Sequence, residues 1–152
     1  MKISESSKSN KLFDSHRNKI LEAKPEEIVR QRLLTYMKEK LGYPSSHIAV
    51  EKKLSSFPDV KTGRALQGQR IDILCYALLE KTLKPLLLIE CKEKMDLTKD
   101  LPQLLGYNEW VKAPFFALAD KNEVCTFWRK AEGDLEKVSF LPTYPKLVES
   151  LL

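Results

Sequence analysis

The sequence has few of the features that mark secreted, membrane or disulfide-stabilised proteins. Its cysteines, Cys75, Cys91 and Cys125, each lie within an apolar run, and no two form a CxxC pair. This arrangement argues against a disulfide framework or a zinc site. No apolar stretch reaches the roughly 18 residues that a membrane-spanning helix needs, and residues 1–10 contain no apolar signal region. We therefore predict a cytoplasmic protein without a membrane partner.

An excess of charge of one sign is also largely missing. The formal net charge is +5 over 152 residues, and residues 1–24 hold much of the surplus. A net positive charge this small is compatible with a polyanionic partner but does not require one. The length is that of one ordinary domain. We predict a disordered polar tail at residues 1–10 and a single domain at 11–152.

The apolar patterns predict an α/β fold with a mixed central sheet flanked by helices. Pro25 suits the first turn of a helix that Gly42 ends. Residues 11–23 are ambiguous and could form a short hairpin, 55–68 form a loop or hairpin, and Lys84-Pro85 is expected to interrupt the chain. The predicted elements are a helix from 25, strands 47–54, 69–79 and 86–92, a helix 101–112 capped by Thr98 or Asp100, strands 115–119 and 124–129, and a helix 144–152.

The residues that carry chemistry lie on two consecutive predicted strands. Glu90 and Lys92 follow four apolar residues and, because side chains alternate along a strand, they emerge on the same face. Asp72 has the parity to lie beside Glu90 if the two strands pair. Two adjacent carboxylates repel each other unless a cation lies between them. The pattern therefore indicates either a metal site or a buried Glu–Lys ion pair at a strand end.

The donor set of the metal-site alternative suits Mg²⁺, with Mn²⁺ as a substitute. Asp72, Glu90 and the main-chain carbonyl of Cys91 offer hard oxygen ligands, which Mg²⁺ prefers together with several waters. Such an ion can activate a bound water and stabilise charge on a phosphoryl group. A lysine beside two carboxylates stays protonated, so Lys92 could orient the attacking water or neutralise the scissile phosphate.

The (D/E)xK triplet alone is not specific. It also occurs at 22–24, 51–53 and 59–61, and Pro58-Asp59 even supplies a literal PD. What distinguishes Glu90-Cys91-Lys92 is its position at the end of a buried strand, one strand after Asp72.

Two flanking features strengthen the metal-site interpretation. Gln103 and Tyr107 are four residues apart on a predicted helix, so they share a face that could reach a phosphate or hold the lysine. Glu26 shares a helical face with Val29 and Leu33 and could reach the same metal, whereas Glu27 is expected to point to solvent. Ordinary helix surface and stabilisation of the helix dipole remain the alternatives.

Taken in order, these motifs resemble a known family. Pro25 to Gln31, Leu41 to Pro44, Arg70 to Ile73, Leu88 to Lys92 and Gln103 to Asn108 look like the N-terminal nuclease domain of type I restriction enzyme R subunits, within the PD-(D/E)xK nuclease superfamily. More narrowly, the chain looks like the small stand-alone relatives of that domain, and the likeness spans about residues 11–130. One departure is Ala119 to Asn122, where relatives often have a Thr-Asn-Gly-like turn.

The resemblance implies a restriction-endonuclease-like core of order αβββαβ and Mg²⁺-dependent hydrolysis of DNA. It implies that Asp72 and Glu90 bind metal, that Lys92 is catalytic, that Glu26 or Glu27 is the helical acid, and that Gln103 and Tyr107 form the QxxxY element. The chain contains no GxxxxGK[ST] loop. Such a domain could act as a homodimer, with a separate motor or specificity subunit, or as a catalytically silent nucleic-acid-binding or assembly module.

A basic segment beside the predicted site could hold a nucleic acid backbone. Lys61, Arg64 and Arg70 lie in or next to a loop with two glycines. Phosphate contacts of this kind position a substrate without reading its sequence, so DNA and RNA both remain open. A solvated loop is the plainer interpretation.

Overall fold

The computed structural model describes residues 3–6, 9–57 and 68–152. In chain order the strands and helices are β1 (Ile3–Ser6), β2 (Ser9–Asp14), β3 (Lys19–Glu22), α1 (Pro25–Lys40), β4 (Ile48–Lys53), β5 (Arg70–Leu79), β6 (Thr82–Cys91), α2 (Leu97–Val111), β7 (Phe115–Ala119), β8 (Val124–Arg129), β9 (Leu135–Val138) and α3 (Tyr144–Glu149).

The described strands form two sheets. The larger one has the order β4-β5-β6-β7-β8-β9, and all its neighbours pair antiparallel except β6 and β7, which are parallel. The smaller sheet consists of β1, β2 and β3. The run from α1 to β7 has the order αβββαβ, so the predicted fold class is confirmed. The parallel pair flanks α2, as expected of a crossover connection.

Helices cover both faces of the larger sheet. On one face Leu33, Leu34 and Met37 of α1 pack with Ile73 and Ile89. On the other face Leu104 and Val111 of α2 pack with strand residues that include Leu74, Leu88 and Phe116. This two-sided covering explains why the run Leu86 to Ile89 in β6 is fully buried and uniformly apolar.

The β5–β6 hairpin differs from the predicted break at Lys84-Pro85. The strands turn at Glu80 and Lys81, whose φ angles are 49° and 67°, and β6 runs through Pro85. Two positive φ angles are what a two-residue hairpin turn requires, but glycine or asparagine usually supplies them. Pro85 is tolerated because it lies beside the register shift after Cys75 and before the stretch that pairs with β7.

Helix α2 begins earlier than predicted. Its N-cap is Asp96, whose side chain accepts a hydrogen bond from the Thr98 main-chain N–H, and Pro102 lies inside the helix instead of at its start. The predicted caps, Thr98 and Asp100, are therefore wrong. The carboxylate of Asp100 instead accepts the N–H of Asp96 at 2.8 Å, which completes a reciprocal cap.

Residues 11–23, predicted to be a possible hairpin, contribute to the β2–β3 hairpin, which pairs Leu12 with Leu21 and Phe13 with Ile20. Strand β1 adds to it along part of the predicted tail. The division into a tail at 1–10 and a domain at 11–152 stays a prediction. Strand β9 was not predicted. In the parts of the chain that the structure describes, no helix is long and apolar enough to cross a membrane.

Candidate active site

The register of β5 and β6 brings Asp72 and Glu90 together. Ile73 pairs with Ile89 in antiparallel strands. Asp72, one residue before Ile73, therefore comes opposite Glu90, one residue after Ile89. A Glu90 carboxylate oxygen accepts a hydrogen bond from the main-chain N–H of Asp72 at 3.3 Å. An Asp72 carboxylate oxygen in turn accepts the main-chain N–H of Cys91 at 2.7 Å. The pair is therefore held by the strand backbone itself.

The environment of Glu90 disfavours its charge. The residue is only 6% exposed. Burial raises its pKa well above the ordinary value, and the neighbouring Asp72 carboxylate raises it further, while Lys92 acts in the opposite direction. Two carboxyl groups this close cannot both ionise cheaply unless a cation joins them.

Lys92 lies beside this pair and is held from α2. Its ammonium group donates to the side-chain oxygen of Gln103 at 2.8 Å, and the Gln103 amide donates to the Tyr107 hydroxyl at 3.2 Å. Lys92 also lies 3.8 Å from a carboxylate oxygen of Asp100, which is buried. Burial, followed by the charges of Glu90 and Asp72, raises the pKa of Tyr107, which is consistent with the hydroxyl lying close to the acids.

The helical acid is oriented differently from the prediction. Glu27 is buried in α1, whereas Glu26 is exposed, so the expectation that Glu27 points to solvent was wrong. The buried face of α1 contains Arg30 and Leu34 as well as Leu33, and it is therefore centred closer to Glu27 than the stripe through Val29 and Leu33 indicated. Both carboxylate oxygens of Glu27 are already bonded within the protein.

Glu27 belongs to a set of four side chains that sequence reasoning did not bring together, which we term the Arg–Glu ring: Arg17, Glu27, Arg30 and Glu51. Arg17 donates to one oxygen of Glu27 and to one of Glu51, both at 2.8 Å. Arg30 donates to the other oxygen of each, at 3.2 Å for Glu51. The second guanidinium nitrogen of Arg30 reaches an Asp72 carboxylate oxygen at 3.5 Å.

Glu51 shows two signs of constraint by this ring. Its φ angle is 53°, which is uncommon for a residue other than glycine. Burial alone would raise its pKa, but the guanidinium groups of Arg30 and Arg17 outweigh burial, and the pKa lies below its ordinary value. Arg30 could have been found from the sequence, since it is three residues after Glu27. Arg17 gave no such signal, because it lies 10 residues from Glu27 and 34 residues from Glu51, and no local periodicity links them.

A polar cleft of about 840 Å³ opens beside Lys92. It is lined by Glu26, Lys92, Glu93, Lys94, Asp96, Lys99, Asp100, Lys121 and Asn122. Glu26 thus reaches the neighbourhood of Lys92 from the exposed side of α1, even though it does not lie on the buried face. The cleft is large enough to admit a nucleotide-sized group.

The proposed substrate-binding residues are only partly described. Arg70 is exposed and donates to the main-chain oxygen of Glu51 at 3.4 Å. Lys61 and Arg64 lie outside the described residues, as does the alternative triplet at 59–61.

The donor set at Asp72 and Glu90 fits a hard divalent cation. Among residues 3–6, 9–57 and 68–152, no group of three or more His, Cys, Asp and Glu side chains is arranged to hold a metal. Mg²⁺ is commonly held by only one or two carboxylates and completes its shell with water and substrate oxygens. A buried acid beside a partly exposed one, with few cations around them, matches that chemistry.

Comparison with known proteins decides the family. The family model for the type I restriction enzyme R protein N terminus (HSDR_N) matches residues 25–145. The chain belongs to this family. The matched span contains α1, α2 and β4 to β9, the first two residues of α3, and the Asp72, Glu90 and Lys92 positions. It begins after the β2–β3 hairpin.

A solved structure has the same fold. It is a fragment described as an HsdR subunit of a type I restriction enzyme from Vibrio vulnificus YJ016, with a TM-score of 0.53 and 21% identity over 82% of this chain. The chain spans only 24% of the length of that relative. A comparison with curated proteins gave no match. The restriction-endonuclease-like core predicted from the sequence is thereby confirmed.

Proposed function

We propose that this chain is a metal-dependent endonuclease that hydrolyses phosphodiester bonds in DNA. The observation that carries the proposal is the contact between Asp72 and Glu90 on adjacent strands, with Lys92 beside them. Family membership supports a role in restriction-modification, and the 121 matched positions at 25–145 contain every residue of that contact.

The three residues have distinct roles in this proposal. Asp72 and Glu90 hold Mg²⁺, for which Mn²⁺ can substitute, with help from the main-chain carbonyl of Cys91. When bound, the ion supplies an activated water and neutralises developing phosphoryl charge. Lys92, whose ammonium group donates to Gln103, orients the water or the scissile phosphate. Gln103 and Tyr107 fix the direction of the ammonium group.

The electrostatics favour binding of a cation. Four carboxylates contact two guanidinium groups, and the ammonium of Lys92 already has Asp100 as a partner. These carboxylates are Asp14, Glu27, Glu51 and Asp72, and Glu90 lies beside Asp72 as a fifth acid. A cluster short of positive charge favours binding of a divalent ion, and an ion bridging Asp72 and Glu90 removes their mutual repulsion.

The helical acid has a different role from the one the resemblance implied. Glu27 has both oxygens bonded to Arg17, Arg30 and Gln31, so we propose that it positions the arginines and is not itself a metal ligand. Glu26 lines the cleft beside Lys92 and is the one of the two that can approach an incoming phosphate or its metal. Arg70 and the basic loop that carries Lys61 and Arg64 contact the DNA backbone in this proposal.

The test is cleavage of supercoiled plasmid and of branched DNA in the presence of Mg²⁺. Wild type is compared with Asp72→Ala and Lys92→Ala, and Lys84→Ala serves as a control on the same strand as Glu90. We expect activity for wild type and the control, loss in both site variants, and complete inhibition by EDTA. Activity that survives both substitutions would remove the proposal.

The same assay distinguishes a catalytically silent module. Such a module would bind DNA with strong salt dependence, ignore EDTA and tolerate Asp72→Ala. RNA and single-stranded substrates in parallel determine which nucleic acid is accepted. Cutting both strands of a duplex from one site per chain favours a homodimer or a partner subunit, and we expect the protein to act in the cytoplasm.

A further inference from the structure

The β2–β3 hairpin lies outside the residues matched by the family model, which begins at 25, yet it contacts the candidate site. The turn between its strands carries His16 and Arg17. A ring nitrogen of His16 lies 3.0 Å from the main-chain oxygen of Ile48, which attaches the turn to β4. This attachment brings Arg17 to the end of the sheet where the acids lie.

Contacts with three carboxylates hold Arg17 in this position. Its side chain is only 15% exposed. Its Nε group donates to the carboxylate of Asp14, which is fully buried and also accepts the main-chain N–H groups of His16 and Arg17. Its two terminal nitrogens donate to Glu27 and Glu51. Each of the three guanidinium nitrogens thus donates to a carboxylate.

The Arg–Glu ring transmits this arrangement to Asp72. Glu27 and Glu51 each use one oxygen for Arg17 and the other for Arg30. The Nη1 nitrogen of Arg30, which contacts neither glutamate, faces Asp72 at 3.5 Å. Without Arg17, one oxygen of Glu51 would lose its partner and one oxygen of Glu27 would keep only the Gln31 amide, so both would compete for the guanidinium of Arg30. Arg30 would be drawn away from Asp72, and the direction of that carboxylate would change.

We propose that Arg17 is a positioning residue of the nuclease site, acting through Glu27, Glu51 and Arg30 on Asp72. The hairpin is then a part of the site that lies outside the family's common span. The inference rests on the proposed nuclease function. Groups one layer removed from a metal ligand commonly change activity by roughly 10–100-fold, because they determine how the ligand is oriented.

The experiment measures DNA cleavage by Arg17→Met, with Lys19→Met as a matched control in the same hairpin, where the lysine is exposed. We expect kcat to fall by about tenfold or more with KM for DNA nearly unchanged, since Arg17 does not touch the substrate. Lys19→Met should match wild type. Arg17→Lys should recover little, because one ammonium cannot replace three directed guanidinium contacts.

A second variant distinguishes loss of positioning from loss of folding. Arg17→Met leaves the buried Asp14 carboxylate without its cation, so the pair Asp14→Asn/Arg17→Met removes both charges. All variants are assayed well below their unfolding midpoints, with near-UV circular dichroism as the check on packing. Cleavage by this folded double variant at the wild-type kcat would overturn the inference and leave the nuclease proposal intact. Absence of cleavage by wild type would overturn both.

Discussion

A carboxylate oxygen of Glu90 lies 3.3 Å from the main-chain nitrogen of Asp72 and accepts its hydrogen bond. The strand backbone therefore holds two acids side by side at a position where Glu90 is almost fully buried. This arrangement costs folding free energy unless a cation is bound, because burial and the second carboxylate both disfavour ionisation. Sites of this kind commonly exchange stability for activity.

Glu90→Gln should be more stable than wild type and inactive. Glutamine keeps the shape and an acceptor for the Asp72 N–H but removes the charge that burial disfavours. We expect a gain of roughly 1–2 kcal/mol in the free energy of unfolding at pH 8 without metal, measured with urea. Added Mn²⁺ should stabilise wild type alone and so make it the more stable of the two proteins. A loss of stability on substitution, or retained cleavage, would contradict this account.

Lys92→Met should lower the cleavage rate by at least about 100-fold with little change in fold, since the methyl end can occupy the same space between Gln103 and Asp100. Lys84→Met, in β6 but exposed and far from the acids, is the matched control. Plasmid nicking under saturating Mg²⁺ is the measurement. Equal rates in the two variants would exclude a catalytic role for Lys92.

Glu27 and Glu26 should differ sharply in stability. Glu27→Ala removes the more buried of the two carboxylates that Arg17 and Arg30 share, which should cost about 3–5 kcal/mol. Glu26→Ala, on the exposed side of the same turn, should change stability by less than about 0.5 kcal/mol. Urea denaturation of the two variants measures both. Similar losses would contradict the assignment of Glu27 as the buried acid.

Asp14 should contribute stability that disappears in acid. Burial alone would raise its pKa, but hydrogen bonds from Arg17 outweigh burial and hold the pKa below its ordinary value of 3.8. The unfolded chain therefore takes up a proton first as pH falls, so the stabilisation is present above pH 3.8 and is lost below it. Asp14→Asn should be about 2 kcal/mol less stable at pH 7.

The difference in unfolding free energy between wild type and Asp14→Asn should narrow as the pH falls from 5 to roughly 2, measured in a series of urea titrations. The other carboxyl groups titrate in both proteins, so the difference isolates Asp14. A gap that stays constant over this range would show that the Arg17 contact does not depend on the charge of Asp14.

Much of the fold was predictable from the sequence because its patterns are local. Pro25 and Gly42 bound α1, and the apolar run before Glu90 identifies a central strand. The turn at Glu80 and Lys81 was not predictable, since neither residue favours positive φ. The start of α2 was misplaced because proline usually marks a first turn, and here Pro102 follows a turn that Asp96 caps.

The candidate site divides in the same way. The parity of Asp72 and Glu90 follows from strand alternation, and the structure does bring the two side chains together. The Arg–Glu ring was missed because it depends on how the β2–β3 turn docks against β4 and α1, which no local pattern records. The burial of Glu27 depends on which face of α1 meets the sheet. Glu26 and Glu27 are adjacent and lie near the edge of that face, so a small rotation of the helix decides which of them is buried.

The most direct test of the central claim is a crystal soaked with Mn²⁺ and measured at a wavelength that gives anomalous signal from the metal. The account predicts one strong anomalous peak within bonding distance of carboxylate oxygens from both Asp72 and Glu90, absent from crystals of Glu90→Gln. A protein that cleaves DNA while its manganese lies elsewhere, or touches neither carboxylate, would contradict it.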